Sequence, residues 1–291
     1  RFLELAKYDG TVGGSDLHAN GRIDNYLQWW LKDSTLAGSF NVTSNKFDLN
    51  ELMGPATAAD TASSAADTSA MSVIEVPKNI DFKLTTAART VLYDQMTLEN
   101  LKGALHVHDQ RVDLRDLFFN VFKGSATMNG SYDAKNPSKP LIDLTYNVRD
   151  WDIEQTVKYV ETVQTLAPIA KNCTGAFSTS MTLTGALDGA MMPVMSSLNG
   201  DGTLTTKNVR LVGVKVLEEV NKILKNPKLD DPTLQSVNFS YEFRDGKMIT
   251  KKFPVKLDKM AATVEGWTAF EDQSIEYLMT AKIPTEMFGG A

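Results

Sequence analysis

"GALHVHDQRVDLRDLFFNVFKGSATMNGSYD", residues 103–133, is the stretch on which the fold turns. Bulky apolar residues fall at alternate positions, the period of a strand with one dry and one wet face. Leu105 and Val107 define the apolar face, which leaves His106 and His108 on the polar one, and Asp109-Gln110 reads as the turn that follows. Further on, Phe119 and Val121 alternate with Phe118 and Phe122, so this strand is apolar on both sides. One side is then core and the other lies under a helix, or one long face forms an apolar groove for acyl chains.

The same period runs through most of the chain. Ile142, Leu144, Tyr146 and Val148 alternate with polar residues, as do Phe177, Thr179, Met181 and Leu183. Val237, Phe239, Tyr241 and Phe243 form a third set, and Ile275, Tyr277, Met279, Ala281 and Ile283 a fourth. Buried parallel strands would be apolar on both faces, so the alternation predicts antiparallel sheet. Asp9-Gly10, Asn129-Gly130, Asn199–Gly202 and Asp245-Gly246 read as the turns of a meander, because these residues tolerate positive φ.

Helices are few. Ile153, Val157, Val160, Val163 and Leu166 predict one over 150–170, with Asp150 or Asp152 as N-cap. Val216, Leu217, Val220 and Leu224 predict another over 213–226, ending before Pro227. Short helical turns are expected after "FDLNELM" and "GRIDNYLQWW". Residues 54–72, rich in Ala, Ser, Thr and Asp, lack the bulky apolar groups needed to pack and read as a disordered loop between a β segment 1–53 and the remainder 73–291. Phe47–Leu52 and Val112–Leu117 share an apolar-Asp-Leu-x-x-Leu pattern, with a looser copy in "VRDWDIEQTV", which suggests a repeated supersecondary unit.

A net charge of −6 and the lack of a dense basic run argue against nucleic-acid binding. No run of about 18 apolar residues is present to form a transmembrane helix. The abrupt start at "RFLELAKYDG" reads as a part excised from something longer, without a signal peptide. Cys173 is the only cysteine, so neither an internal disulfide nor a thiolate zinc cage is expected, and it reads as a half-buried residue near a strand edge.

No catalytic signature in the sequence carries weight. His106 and His108 share a face where one metal would reach both, with Asp109 as the nearby carboxylate. A catalytic zinc site takes three protein ligands, however, and a wet strand face calls for polar residues anyway, so the polar-face reading is favoured. Asp230-Asp231, Glu218-Glu219 and Glu271-Asp272 read as solvated turn, helix and loop groups. "NGDGTL" leads into a strand and therefore offers no helix N-terminus to a phosphate. No cofactor, metal or catalytic residue is expected.

Several segments together resemble the C-terminal region of AsmA-like proteins. They are Met96–Leu105, "VDLRDLFFNVFKGSATMNGSYD" with its Phe122-Lys123-Gly124 step, "KPLIDLTYNVRDWDIEQTV", and "TGALDGAMMPVMSSLNGDGTLTTKNVRLVGVKVLEEVNKIL". "TSNKFDLNELM" is similar to the family's upstream strand-to-helix element. The resemblance implies a mainly β fold with an elongated, curved, groove-like antiparallel sheet and two amphipathic helices packed on it. It implies a periplasmic, non-enzymatic module of an inner-membrane-anchored Gram-negative protein that binds or conducts phospholipid, or another acyl-chain lipid, and supports outer-membrane integrity. The candidate groove residues are Leu105, Val107, Phe119, Ile142, Leu144, Tyr146, Phe177, Met181, Val237, Phe239, Tyr241 and Phe243, with the positions beneath helices left open. An interaction module of an envelope protein complex is the alternative, and a metal-dependent hydrolase using His106, His108 and Asp109 a weaker one.

Overall fold

The computed structural model describes residues 2–32, 34–52, 73–224, 231–257, 259–282 and 284. The segment expected to be disordered, 54–72, lies outside them. The chain is mainly β. In order come β1 (Phe2–Val12), β2 (Ser15–Asp24), α1 (Tyr26–Lys32), β3 (Leu36–Asp48), α2 (Leu49–Leu52), β4 (Ile80–Tyr93), β5 (Met96–His108), β6 (Arg111–Val121) and β7 (Gly124–Asp133). After these follow β8 (Leu141–Asp152), α3 (Ile153–Tyr159), α4 (Glu161–Leu166), β9 (Cys173–Ala186), β10 (Asn199–Leu211) and α5 (Lys215–Leu224). β11 (Thr233–Leu234), β12 (Asn238–Arg244), β13 (Lys247–Leu257), β14 (Met260–Ala269) and β15 (Ile275–Lys282) complete the chain.

Strands pair in chain order from β1 to β10, then β12 to β15, with β11 beside β10. Two compact units result. The first comprises Arg1–Val121, Ala126–Thr145 and Thr184–Val194, and the second Phe122–Ser125, Tyr146–Leu183 and Met195–Ala291. One pairing departs from the antiparallel expectation, because β3 and β4 run parallel, from Leu36 opposite Ile80 to Asp48 opposite Leu92. A parallel pair needs a crossover of a dozen or more residues, and the chain between Asp48 and Ile80 supplies it.

Of the four turns expected at Asp-Gly and Asn-Gly pairs only Asp245-Gly246 is one, closing β12 on β13 with φ of 54° and 68°, and the turn expected at Asp109-Gln110 also forms. Two-residue hairpins that follow the strand twist need positive φ at both positions. Asp109-Gln110 (44° and 60°) and Phe122-Lys123 (50° and 64°) meet that requirement without glycine. Gly10, Gly130 and Gly200 instead lie inside β1, β7 and β10. At Gly130 and Gly200 the role is close approach. A Cβ at Gly130 would stand 2.0 Å from the Asp143 carbonyl oxygen, and one at Gly200 would stand 2.0 Å from that of Thr182.

A repeated irregularity keeps the apolar residues on one side. Asn100, Asp116, Asp150 and Asn208 each adopt a left-handed φ, 48° to 54°, within β5, β6, β8 and β10. In each strand the protected positions change parity there. β5 protects Met96 and Leu98 before Asn100 and Leu101 after it, and β6 protects Val112 and Leu114 before Asp116 and Leu117, Phe119 and Val121 after it. Between Glu99 and Lys102 β5 advances three residues against two of β6, from Asn120 to Phe118. Between Lys102 and Ala104 it advances two against three, from Phe118 to Arg115. The bulges cancel, and the register beyond them is restored. A glycine commonly faces the irregular residue. Gly103 lies against the Asp116 backbone, Gly124 against Asp150 and Gly175 against Asn208.

The single helix expected over 150–170 is replaced by α3, α4 and a 3-10 turn, Pro168–Asn172. Its start is delayed because Trp151 and Asp152 remain in β8. Six of the ten residues from Thr156 to Thr165 are β-branched, which lowers helix propensity, and Pro168 ends α4 by forcing Ala167 out of the helical region, to φ −140° and ψ 72°. The apolar-Asp-Leu echo is not one repeated unit, since Phe47–Leu52 leaves β3 for α2, whereas Val112–Leu117 spans the bulge of β6. Substitution of Gly130 by Ala is expected to cost about 2–3 kcal/mol by forcing a methyl group onto the β8 backbone. The denaturant midpoint reads this, and Gly189→Ala, which meets nothing within 4 Å, should leave the midpoint in place.

Candidate functional site: an apolar sheet face and its charged reverse

In the first unit the registers of six strands align into two apolar rows. One passes through Leu5, Gly21, Phe40, Leu84, Leu105 and Leu114, and the other through Leu3, Ile23, Gly38, Phe82, Val107 and Val112. Phe40 and Phe82 meet edge to face, 5.5 Å between ring centroids, and fill the space that Gly38 leaves. Only Gly38 of the twelve positions is fully buried; Leu3 and Leu5 are exposed and the others half-buried. The helices that pack on β3 and β4 are α1 and α2, each joined at a strand end. Asn25, just before α1, bonds Thr35 and Ala37, and Asn50 of α2 bonds Asp94. Six strands at about 4.8 Å spacing make each row about 24 Å long.

The alternate positions of the same strands face the other way and are mostly polar. Glu4, Arg22, Ser39, Lys83, His106 and Asp113 form one row, and Phe2, Asp24, Ala37, Asp81, His108 and Arg111 the next. A shallow depression of about 520 Å³ lies over β1–β4 on this side, bordered by Glu4, Asn20, Arg22 and Lys83. The histidines thus occupy the polar face, as expected. The His106 Nε2 is 2.7 Å from an Asp81 oxygen, and the His108 Nε2 is 3.2 Å from Asp113, whose other oxygen accepts from the Arg111 Nε at 2.6 Å. Burial pushes the Asp113 carboxyl upward, but hydrogen bonds from Arg111 and His108 outweigh it and hold the group below the usual carboxylate range. Asp109, the carboxylate singled out in the sequence, lies in the turn at 3.7 Å from His108. Asp113 and Asp81 take its place, and cross-strand register, not sequence proximity, brings them there.

The candidate residues divide accordingly. Leu105 and Val107 sit in the half-buried rows, and Phe119 continues on the protected side of β6 between buried Leu117 and Val121. Ile142, Leu144, Tyr146 and Val148 share the protected face of β8, half-buried and buried in turn. In the second unit, Val237 is closed in by Leu217 of α5 together with Leu234, Leu257 and Met260, and Phe239 packs against that cluster. Phe239 also stacks on Phe253, 4.9 Å between centroids. Tyr241 and Phe243 are buried. The Tyr241 hydroxyl is 2.8 Å from the Thr179 hydroxyl, and its ring covers Gly202 beside Met181. Phe177 meets Trp151 edge to face at 6.3 Å, and Trp151 meets Phe122, which stacks on Tyr159 of α3. Of these aromatics Phe122, Tyr241 and Phe243 are buried, whereas Trp151, Tyr159, Phe177 and Phe239 are half-buried.

Cys173 opens β9, half-buried, with its thiol directed at the Ile169 carbonyl. Burial pushes the thiol pKa up to about 11, the opposite of an activated nucleophile. No helix among the described residues is long and apolar enough to cross a membrane. No protein-family model, curated protein or solved structure matches the chain.

α3 is held over Phe122 by its N-cap. Asp152 accepts from the Gln155 amide at 3.0 Å and from the Lys123 ammonium at 2.7 Å. Burial raises the Asp152 pKa, yet these donors prevail and depress it below the ordinary value. The contribution is therefore complete above the unfolded-state pKa and is lost as pH falls through the lower, folded-state value. Asp152→Ala is expected to cost about 1 kcal/mol at pH 7. The difference from the unsubstituted chain should hold down to about pH 5 and shrink below about pH 4, which denaturant titrations at several pH values will read.

Proposed function

We propose that this chain is a non-enzymatic lipid-binding module whose β1–β6 apolar face holds the acyl chains of phospholipid or another acyl-chain lipid. The observation that carries the reading is the pair of six-strand apolar rows left half-buried, in contrast to the second unit, where α5 covers the comparable surface. Apolar surface left in water is unfavourable by about 25 cal/mol per Å², and acyl chains cover it without needing hydrogen-bond partners. The roughly 24 Å length of a row exceeds the roughly 15 Å that acyl chains occupy in one leaflet, half of a hydrocarbon core about 30 Å thick. In this proposal the resemblance of the β5–β8 segments to AsmA-like proteins supplies the cellular setting: a periplasmic portion of an inner-membrane-anchored protein that conducts lipid and supports outer-membrane integrity.

A second reading, as an interaction module of an envelope complex, has one observation in its favour. β1 and β15 end the strand order and expose Phe2, Leu3, Ile275 and Leu278, and such edges invite an added strand.

The test is lipid mass spectrometry of gently purified protein, combined with titration of a fluorescent acyl probe. Bound phospholipid is expected. A double variant, Leu105→Asp with Leu114→Asp, should weaken probe binding by about tenfold or more, because carboxylates within the row must be desolvated. Thr85→Asp, on the polar reverse, should bind as before. Undiminished binding by a folded double variant rules out this face as the lipid site.

A further inference from the structure

We propose that His106, His108 and Asp113 form a binding site for a divalent transition metal of the zinc, nickel or copper type. The site is distinct from the apolar face and does not depend on the lipid reading. His106 and His108 stand two residues apart on β5, so both project from the polar face, with ring centroids 4.2 Å apart. Asp113 stands directly opposite His106 on β6. One ligand atom from each of the three lies within 4.8 Å of the others.

The donor set selects the metal class. Two imidazole nitrogens and one carboxylate oxygen suit zinc, nickel and copper, whereas magnesium and calcium take oxygen ligands. Three protein ligands also leave a coordination position for water. Access is open but not unrestricted: the side chains of His106, His108 and Asp113 are 23%, 26% and 23% exposed. Asp81 on β4 supplies the outer partner, 2.7 Å from the His106 Nε2, which fixes that ring and leaves its other nitrogen for the metal. A bound ion would therefore fasten β5 to β6, with β4 holding one ligand in position.

Two cations oppose the ion. Arg111 occupies one oxygen of Asp113 at 2.6 Å, and Lys83 stands opposite His106 on β4. A metal bound here competes with Arg111 for the Asp113 carboxylate. That competition gives the proposal a test that surface histidines binding metal by chance would not pass.

The experiment is calorimetric titration of the chelator-treated full chain with zinc chloride, and in parallel with magnesium chloride. One zinc per chain is expected, with no magnesium binding. His108→Gln and Asp113→Asn should each weaken zinc binding at least about tenfold, and Asp81→Asn by about tenfold through loss of ring orientation. Arg111→Gln should tighten it by freeing the Asp113 oxygen. Asp109→Asn should bind like the unsubstituted chain. So should His18→Gln, which alters the separate His18 cluster with Asp9 and Asp16. Circular dichroism of each variant confirms the fold, and the half-exposed positions tolerate these near-isosteric changes. Absence of saturable zinc binding overturns the proposal. Binding that survives His108→Gln, or that Arg111→Gln weakens, overturns it equally.

Discussion

A strand sends alternate side chains to opposite faces, and one inserted residue exchanges those faces for everything that follows. The apolar side of this sheet depends on placing such insertions correctly. Asn100, Asp116, Asp150 and Asn208 each take a left-handed conformation inside a strand, a state open to Asn and Asp at lower cost than to other residues with a side chain. Opposite three of the four, a glycine removes the Cβ that would collide with the displaced backbone. The exchange of parity is matched by a shift in the residues chosen. Leu98 gives way to Leu101, and Leu114 to Leu117, so the apolar side stays continuous through the irregularity.

That continuity has different consequences in the two units. In the second, Leu217 of α5 closes over Val237, Leu257 and Met260, and the aromatics along β12 and β13 pack on one another. Tyr241 brings a hydroxyl into this core and directs it at Thr179, which meets the requirement that a buried polar group find a partner. In the first unit no helix among the described residues closes over the rows through Leu84 and Leu105 in this way, and their side chains are half-buried. The difference lies in helix placement, since strand chemistry is similar in both: bulky apolar residues at alternate positions, with polar ones between.

Period-2 alternation makes the strands within 103–133 and those at 142–148, 177–183, 238–243 and 275–282 legible, together with the mainly β class and the polar face of His106 and His108, because burial on one side only leaves that pattern in the residues. It also gave the correct parity for Ile142 through Val148. It misread Asn129-Gly130 and Asn199–Gly202 as turns, because glycine beside Asn or Asp has two uses. Either the chain reverses, or a neighbouring backbone comes within 2.0 Å of where a Cβ would be. Composition does not distinguish these, whereas Phe122-Lys123, a true hairpin turn, has no turn-forming residue at all. The parallel pairing of β3 with β4 was hidden because it depends on a long crossover rather than on the residues of either strand. The partnership of Asp113 and Asp81 with the histidines was hidden for a related reason. Register across three strands creates it, and the nearer Asp109 is drawn off into the turn.

The charged reverse of the first unit acts mainly on register. The ion pair of Arg22 with Asp24 is exposed, and exposed pairs contribute little to stability. Their effect lies in what they forbid. A slip of one residue in β5 would carry His106 and His108 into the rows of Leu84 and Phe82, where polar groups would lose water without gaining partners. The same slip would bring Leu105 and Val107 out beside Thr85 and Lys83. A sheet with one apolar face left partly open has less burial to select its register than a sealed one, so polar residues on the reverse must do more of the selecting. The charges that keep the apolar rows aligned are thus also those that bring two imidazoles and a carboxylate together on the opposite side.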